Sequence, residues 1–406
     1  MKSGWATSTL GQSSTFQRGL TYSKADEVDF SETAVLRANN IDLANNALNF
    51  ADIRYISDNV FIPESKLVKA GSLIICTASG SKAHLGKVAF IDQDYGYAFG
   101  GFMAQITPDQ RLDPRFLYYA LTSQAFADWL EQVSSGININ NLKQSDIEHF
   151  PLSIPPIDEQ QRIVAVLGKA FAGIATATAN AHNNLTNARA LFESLLDQIF
   201  EADGSDWNIE PMSKVCFIGD GNHSSKYPKN SEMVPSGVPF LRSTNIQDGN
   251  ISLHDVLYIS PEKHRDLKKG HLKAGDVLFT NRGEIGKLAI IGEDLDGANL
   301  NSQIAWLRSK SEILPQYLYF YLQSGNMKKH YRRTQSGTAL QQFTIKMLQG
   351  VKVRFPPIAK QVQLVKNLGD LRDETGRLEA SYDQKLAALT ELKQSLLHKA
   401  FAGELT

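Results

Sequence analysis

The sequence repeats itself. Leu112-Asp113-Pro114-Arg115-Phe116-Leu117-Tyr118-Tyr119 returns as Ile313-Leu314-Pro315-Gln316-Tyr317-Leu318-Tyr319-Phe320, an offset of 201 residues that sets Pro114 on Pro315 and Leu117 on Leu318. The same offset carries Ser135-Gly136 onto Ser336-Gly337, Pro155-Pro156-Ile157 onto Pro356-Pro357-Ile358, and Gln160 onto Gln361. It persists through Ser194-Leu195-Leu196 on Ser395-Leu396-Leu397 and Phe200 on Phe401. A fixed internal period constrains architecture before any element is assigned, because whatever one half folds into, the other folds into again.

Upstream the match continues with small insertions. Leu36-Arg37 followed by Asn40-Ile41 matches Leu241-Arg242 followed by Asn245-Ile246, and Tyr55-Ile56-Ser57 matches Tyr258-Ile259-Ser260. Gly71-Ser72-Leu73-Ile74 pairs with Gly275-Asp276-Val277-Leu278, and Gly86-Lys87-Val88-Ala89 with Gly286-Lys287-Leu288-Ala289. The order is therefore module (1–150), helix (151–203), module (204–350), helix (351–406). Divergence concentrates in the modules, which fits two related but different ligands.

After each Pro-Pro the pattern turns helical, with Asp158-Glu159 in a first turn that the helix dipole favours. The first apolar seam runs Ile163, Leu167, Ala170, Ile174, Ala177, Ala181, Leu185, Ala188, Phe192, Leu195, Ile199. The second runs Leu364, Leu368, Leu371, Thr375, Leu378, Tyr382, Leu386, Leu389, Leu392, Leu396. Steps of three and four mark a coiled coil. Each seam breaks step once, at Ala177-Ala181-Leu185 and again 201 residues on at Leu378-Tyr382-Leu386, a stutter that locally unwinds a supercoil. At 1.5 Å per residue the first helix spans about 65 Å. An antiparallel pair of such helices would hold the modules apart, and its alanines leave room for further partners.

The modules read as mixed α/β, with strand-like runs such as Leu73-Ile74-Ile75-Cys76, Val277-Leu278-Phe279-Thr280 and Leu288-Ala289-Ile290-Ile291. Composition excludes several classes. The 406 residues carry 42 Lys+Arg against 43 Asp+Glu, which argues against a polybasic coat on nucleic acid, and 42% hydrophobic residues exclude wholesale disorder. Two cysteines, Cys76 and Cys216, exclude a disulfide framework or a cysteine zinc cluster. No unbroken apolar run approaches a membrane span, and no apolar segment follows Lys2, so a cytoplasmic protein without a membrane partner is expected. Basic loops stand out locally, at His223 to Lys229 and Lys263 to Lys269.

Catalytic motifs fail on inspection. Gly283-Glu284-Ile285-Gly286-Lys287-Leu288 is too short for a phosphate-binding loop and offers Leu288 where a magnesium-binding hydroxyl is needed. Neither Pro-Pro follows Asn or Asp, as an amino-methyltransferase tetrapeptide requires. Glu391-Leu392-Lys393 has nuclease-like spacing but lies on the second helix, and the histidines show no metal-ligand spacing. No catalytic residue and no metal site are expected.

Two variable modules alternating with two similar helices, each introduced by Pro-Pro-Ile and the first by Pro155-Pro156-Ile157-Asp158-Glu159-Gln160-Gln161-Arg162-Ile163, resemble the specificity subunit of type I restriction-modification systems. The run from Gly275 and the closing Leu397-His398-Lys399-Ala400-Phe401-Ala402-Gly403-Glu404-Leu405 are similar too. Departures are Ala359-Lys360-Gln361-Val362 in place of the acidic turn, and Ser72 where the other copy has Asp276.

The resemblance implies an α+β fold: two mixed α/β target recognition domains separated by two long antiparallel coiled-coil helices, related by a pseudo-twofold. Each domain would read one half of a bipartite site on double-stranded DNA. The helices, through Ile163, Leu167, Ile174, Leu185, Phe192, Leu195, Leu364, Leu368, Leu371, Leu378, Leu386, Leu389 and Leu396, would fix the gap and dock two modification subunits. Those partners would bind S-adenosylmethionine and methylate adenine, further subunits would translocate and cleave, and the chain itself would need no cofactor. Chemistry and the repeat nominate Arg37, Asn39 and Asn40, matched by Arg242, Thr244 and Asn245, for DNA contact, with Lys82, Lys226 and Arg282 in Gly- or Ser-rich loops. Arg suits guanine and Asn adenine; the alternative for the Arg37/Arg242 pair is an arginine tying strand to helix. Two other functional classes stay open, an enzyme with an unrecognised methyltransferase or nuclease site and a coiled-coil adaptor.

Overall fold

Leu73-Ile74-Ile75-Cys76 forms a strand with all four side chains buried. Such a run is stable as a strand when both faces are covered. In the computed structural model, which describes residues 4–134, 141–201, 206–223, 227–332 and 342–405, both faces are. Leu73 and Ile75 pack with Phe116 and Leu117 of the helix Pro114–Leu121. Ile74 and Cys76 pack on the other face with Leu36, Ile41 and Phe99. The antiparallel sheet runs Ser14–Arg18, Met103–Pro108, Leu73–Cys76, Val88–Phe90. A second sheet runs Glu27–Val28, Arg54–Ile56, Ala34–Leu36, Ala98–Phe99, with Val35 and Ala98 paired in parallel.

The second module repeats this arrangement. Val277 and Phe279 face Tyr317 and Leu318, while Leu278 faces Leu241 and Leu300. Its sheet runs Cys216–Asp220, Ile304–Ser309, Val277–Thr280, Leu288–Ile290. The chain divides into two compact units, Met1–Ala181 with Gln384–Thr406, and His182–Asp383. Each unit holds one module and part of both long helices. Strands Pro151–Ile154 and Lys352–Phe355, placed with the helices by linear division, pair antiparallel with Ala6–Thr9 and Asn208–Pro211 of their modules. The repeated Ser135-Gly136 and Ser336-Gly337 lie outside the described residues.

The modules solve one turn in two ways. In the second, the buried Asp276 carboxylate accepts from Lys273 N at 2.8 Å and binds the Arg308 guanidinium at two 2.7 Å contacts. In the first, Ser72 occupies that place, and the Gln105 side chain accepts from Lys69 N at 3.1 Å instead. The departure at Ser72 is thus compensated locally.

Both long helices have 45 residues, Ile157–Glu201 and Ile358–Ala402. Within the first unit, Ile163 and Leu167 join the core of Phe116 and Leu117, and Phe401 of the other helix meets Phe116 ring to ring at 5.1 Å. Within the second, Leu368 joins the core of Tyr317, and Phe200 of the other helix meets Tyr317 at 5.3 Å and Tyr321 at 5.4 Å. Each module thus rests on the start of the helix that follows it and on the end of the other, so the two helices run antiparallel in both units. Arg189 and Glu379 join them by an ion pair of 2.9 Å in the second unit.

Four seam residues need correction, Leu378, Leu392, Leu195 and Leu396; Leu392 is 47% exposed, on the outer face of the second long helix. Leu378 is 40% exposed; the turn buries Thr375 and directs Glu379 towards Arg189, leaving the leucine outside. At the helix ends Leu195 and Leu396 are half-buried, and the fully buried residues are Leu196, Phe200, Leu397 and Ala400. There the last two turns dock on a module instead of on the partner helix, which shifts the buried face by one residue. The first long helix also carries an 18-residue window of mean hydropathy 1.4, only 11% buried, long and apolar enough to cross a membrane by those measures. The apolar stretch is not continuous in sequence, because Gly168, Lys169, Gly173, Thr176 and Thr178 interrupt its alanine-rich run.

Candidate nucleic-acid interface

In the first unit a cleft of about 500 Å³ opens where the strands of both sheets end, lined by Arg18, Lys24, Arg37, Asn39, Ser79 and Phe102 among others. Two chain segments cross closely at its floor. Leu20 bridges Gly100 in parallel, and Gly19 lies so near the Gly100 carbonyl that no Cβ fits. Gly221 stands in the same relation to Leu300 and Asn301 in the second unit. The cleft mixes cations, amide and hydroxyl groups with an aromatic, the chemistry that meets phosphates and base edges. Burial and the Glu27 carboxylate raise the Tyr22 phenol above its usual value, which keeps it a neutral donor at the rim.

Asn40 and Asn245, expected at the surface for DNA contact, are turned inward. Both are buried, and each amide is used within its own loop. Asn40 Oδ1 accepts from Arg37 N at 2.8 Å, while its Nδ2 donates to Asn49 O at 2.9 Å and Asp52 O at 3.2 Å. Asn245 repeats the pattern with Arg242 N at 3.0 Å and Ser252 O at 3.1 Å. Residues that recur at matched positions to staple a loop look, in sequence, like residues that recur to bind a ligand.

Arg37 and Arg242 are each tied to a neighbouring turn of their own module. Arg37 Nη2 binds Asp52 Oδ2 at 3.2 Å, and Arg242 Nη2 donates to Asp255 O at 2.8 Å. The Nε of each, like that of Arg282, is buried with no partner among the described residues. Asn39 and Thr244 are exposed at matched positions beside the staple, Asn39 at 3.4 Å from Asp52 Oδ2. Arg282 is half-buried, its backbone bridged to Gln342. Lys226 and the side chain of Lys82 lie outside the described residues.

Sequence reasoning missed Arg18, Phe102 and Gln303. Thr77 N donates to Phe102 O at 2.8 Å and Asn281 N to Gln303 O at 2.9 Å, so Phe102 and Gln303 hold one place in the two modules. A phenylalanine after Gly100-Gly101 was the available signal, since two glycines do not bury an aromatic; Phe102 is 67% exposed. Chemistry of other kinds is sparse. Among the described residues no group of three or more His, Cys, Asp or Glu is placed to hold a metal ion. Burial pushes the Cys76 thiol up to about 11 and the Cys216 thiol up to about 12.

Known proteins resemble this chain along its length. The EcoKI specificity subunit of a type I restriction enzyme from Escherichia coli strain K12 is 25% identical, over 99% of this chain and 89% of its own. The StySPI specificity subunit from Salmonella potsdam is 22% identical with the same coverage. A chain from a structural study of complex assembly and conformational transition in the type I R-M system is 19% identical, covers 100% of this chain and 99% of that one, and has a TM-score of 0.81. The HsdS subunit from Thermoanaerobacter tengcongensis is 19% identical, covers 100% and 98%, and has a TM-score of 0.60. The type I restriction modification DNA specificity domain matches twice, over residues 2–187 and 204–388, and the chain belongs to that family.

Proposed function

We propose that this chain is the non-catalytic DNA specificity subunit of a type I restriction-modification complex, each module reading one half of a bipartite target. The observation that carries the reading is the duplicated frame: one backbone crossing at Gly19 and Gly221, held beside matched staples at Asn40 and Asn245, with different side chains at its exposed positions. A frame kept constant around variable contacts suits two different half-sites of one DNA. The long helices set the gap between those half-sites.

The helices also carry the docking surface for two modification subunits. Leu191 and Leu392 are large, exposed and 201 residues apart, so one apolar contact is presented twice, once in each unit. The exposed apolar window of the first helix adds to that surface. S-adenosylmethionine and the adenine-methylating site belong to those partners, translocation and cleavage to further subunits, and the assembly works on DNA in the cytoplasm.

The test is reconstitution. The purified chain should bind duplex DNA, show no S-adenosylmethionine binding by titration, and support adenine methylation at a split motif only with its modification subunit added. Methyl transfer by the isolated chain would overturn the reading, and so would methylation of the same sites when the chain is omitted.

A further inference from the structure

Gln303 is held so that only half of its amide remains available. Its backbone N–H donates to Asn301 Oδ1 at 3.1 Å, which fixes the Asn301 amide and turns Nδ2 towards Gln303 Oε1, also at 3.1 Å. Ser243 Oγ donates to the same Oε1 at 3.1 Å. With the oxygen taken by two donors, the exposed Gln303 presents its Nε2 hydrogens outward.

The first module lacks this clamp. Gly100 stands where the second has Asn301, Ala38 where it has Ser243, and Phe102 where it has Gln303. Neither Gly100 nor Ala38 has a side-chain donor to hold an amide, and Phe102 stands free in the cleft beside Arg18, whose Nε donates to Gly101 O at 3.2 Å. Three positions differ together, and each set makes chemical sense only as a set.

We infer that Phe102 and Gln303 are specificity-determining contacts of opposite chemistry at the same place in the two modules. Gln303 offers a hydrogen-bond donor alone, so it selects a base edge that accepts, a purine N7, guanine O6 or thymine O4, and rejects cytosine. It cannot read adenine by the paired contact that needs both amide atoms. Phe102 selects an apolar edge, the thymine methyl. The inference rests on the chain being a DNA specificity subunit and adds which residue, and which polarity, reads one position in each half-site.

The experiment uses the full chain with its modification subunit and a random-sequence duplex library, sequencing both bound and methylated duplexes. Gln303→Glu keeps an acceptor for Ser243 and Asn301 but replaces the outward donor with a second acceptor. It should move the preference at one position of one half-site to cytosine N4 or adenine N6. Gln303→Leu should relax that position by roughly 5- to 150-fold in selectivity. Phe102→Gln should change one position of the other half-site and leave the first untouched. Unaltered motifs in all three variants, or changes in the wrong half-site, would overturn the inference. The broader reading fails separately, if the unmodified chain with its partner selects no sequence at all.

Discussion

Gln160 and Asp113 are joined by a half-buried hydrogen bond, the Gln160 side-chain oxygen accepting from the Asp113 backbone N–H at 2.7 Å. The same amide donates to Arg111 O at 2.8 Å and Pro155 O at 2.9 Å. Gln361 repeats all three bonds with Leu314 N, Glu312 O and Pro356 O at 2.9, 2.8 and 2.8 Å. The glutamine three residues after Pro-Pro-Ile therefore locks the long helix to the loop that precedes Pro114 or Pro315. Gln160→Ala leaves two carbonyls and one N–H without partners, and should lower the stability of the first unit by about 1–3 kcal/mol. Gln361→Ala should do the same to the second. Urea unfolding followed by site-specific fluorescence checks which unit responds.

The Asp276–Arg308 pair makes a sharper contrast between the modules. Asp276→Ala removes a buried carboxylate that neutralises a guanidinium, and should cost the second unit about 3 kcal/mol, the low end for a broken buried pair because Arg308 also reaches water. Ser72→Ala at the matched position loses one hydroxyl bond to Lys69 O and should cost about 1 kcal/mol. Equal losses in the two denaturation curves would show that Gln105 does not compensate.

The two thiols give a pH signature. Burial raises Cys76 to about 11 and Cys216 to about 12 from an ordinary 9.0, so the folded chain favours the neutral thiol. A raised folded-state value contributes stability that is complete below about pH 9 and is lost as pH climbs through 11 and 12. Alkylation by iodoacetamide at pH 8 should be slow in the native chain and fast for both cysteines once it is unfolded.

Spacing tests the long helices. Four residues inserted near Ala181 and four near Tyr382 add about 6 Å to each helix, equivalent to about two base pairs. Mapping of methylated sites should show a longer gap between unchanged half-sites. Exchanging the first module should alter one half-site only, and the exchanged segment should run through Ile154, because Ala6–Thr9 pairs with Pro151–Ile154.

The repeat, the strands Leu73–Cys76 and Val277–Thr280, and the two long helices were legible because they rest on period and on apolar runs, which a sequence states directly. The burial of Leu196 and Phe200 in preference to Leu195 and Ile199 was not, since it depends on which surface a helix end meets. The inward turn of Asn40 and Asn245 was not legible either, because recurrence reports a constraint and not its kind. The clamp of Ser243 and Asn301 on Gln303 joins residues 60 positions apart, a relation that chain order conceals. Arg37 was ambiguous in sequence and is divided in the fold, one nitrogen bound to Asp52 and another left without a partner.

The first unit is built from both ends of the chain, Met1–Ala181 and Gln384–Thr406, whereas the second is a single stretch. Synthesis on the ribosome therefore delivers the parts in an order opposite to their completion. The module made first must wait, with the surface around Phe116 open, until Leu397, Ala400 and Phe401 emerge. The module made second has every residue it needs about as soon as its last strand and the start of its helix are out. A nascent chain stalled before Leu397 would carry a finished second module and an unfinished first, and that exposed surface is where a chaperone or a protease would find it.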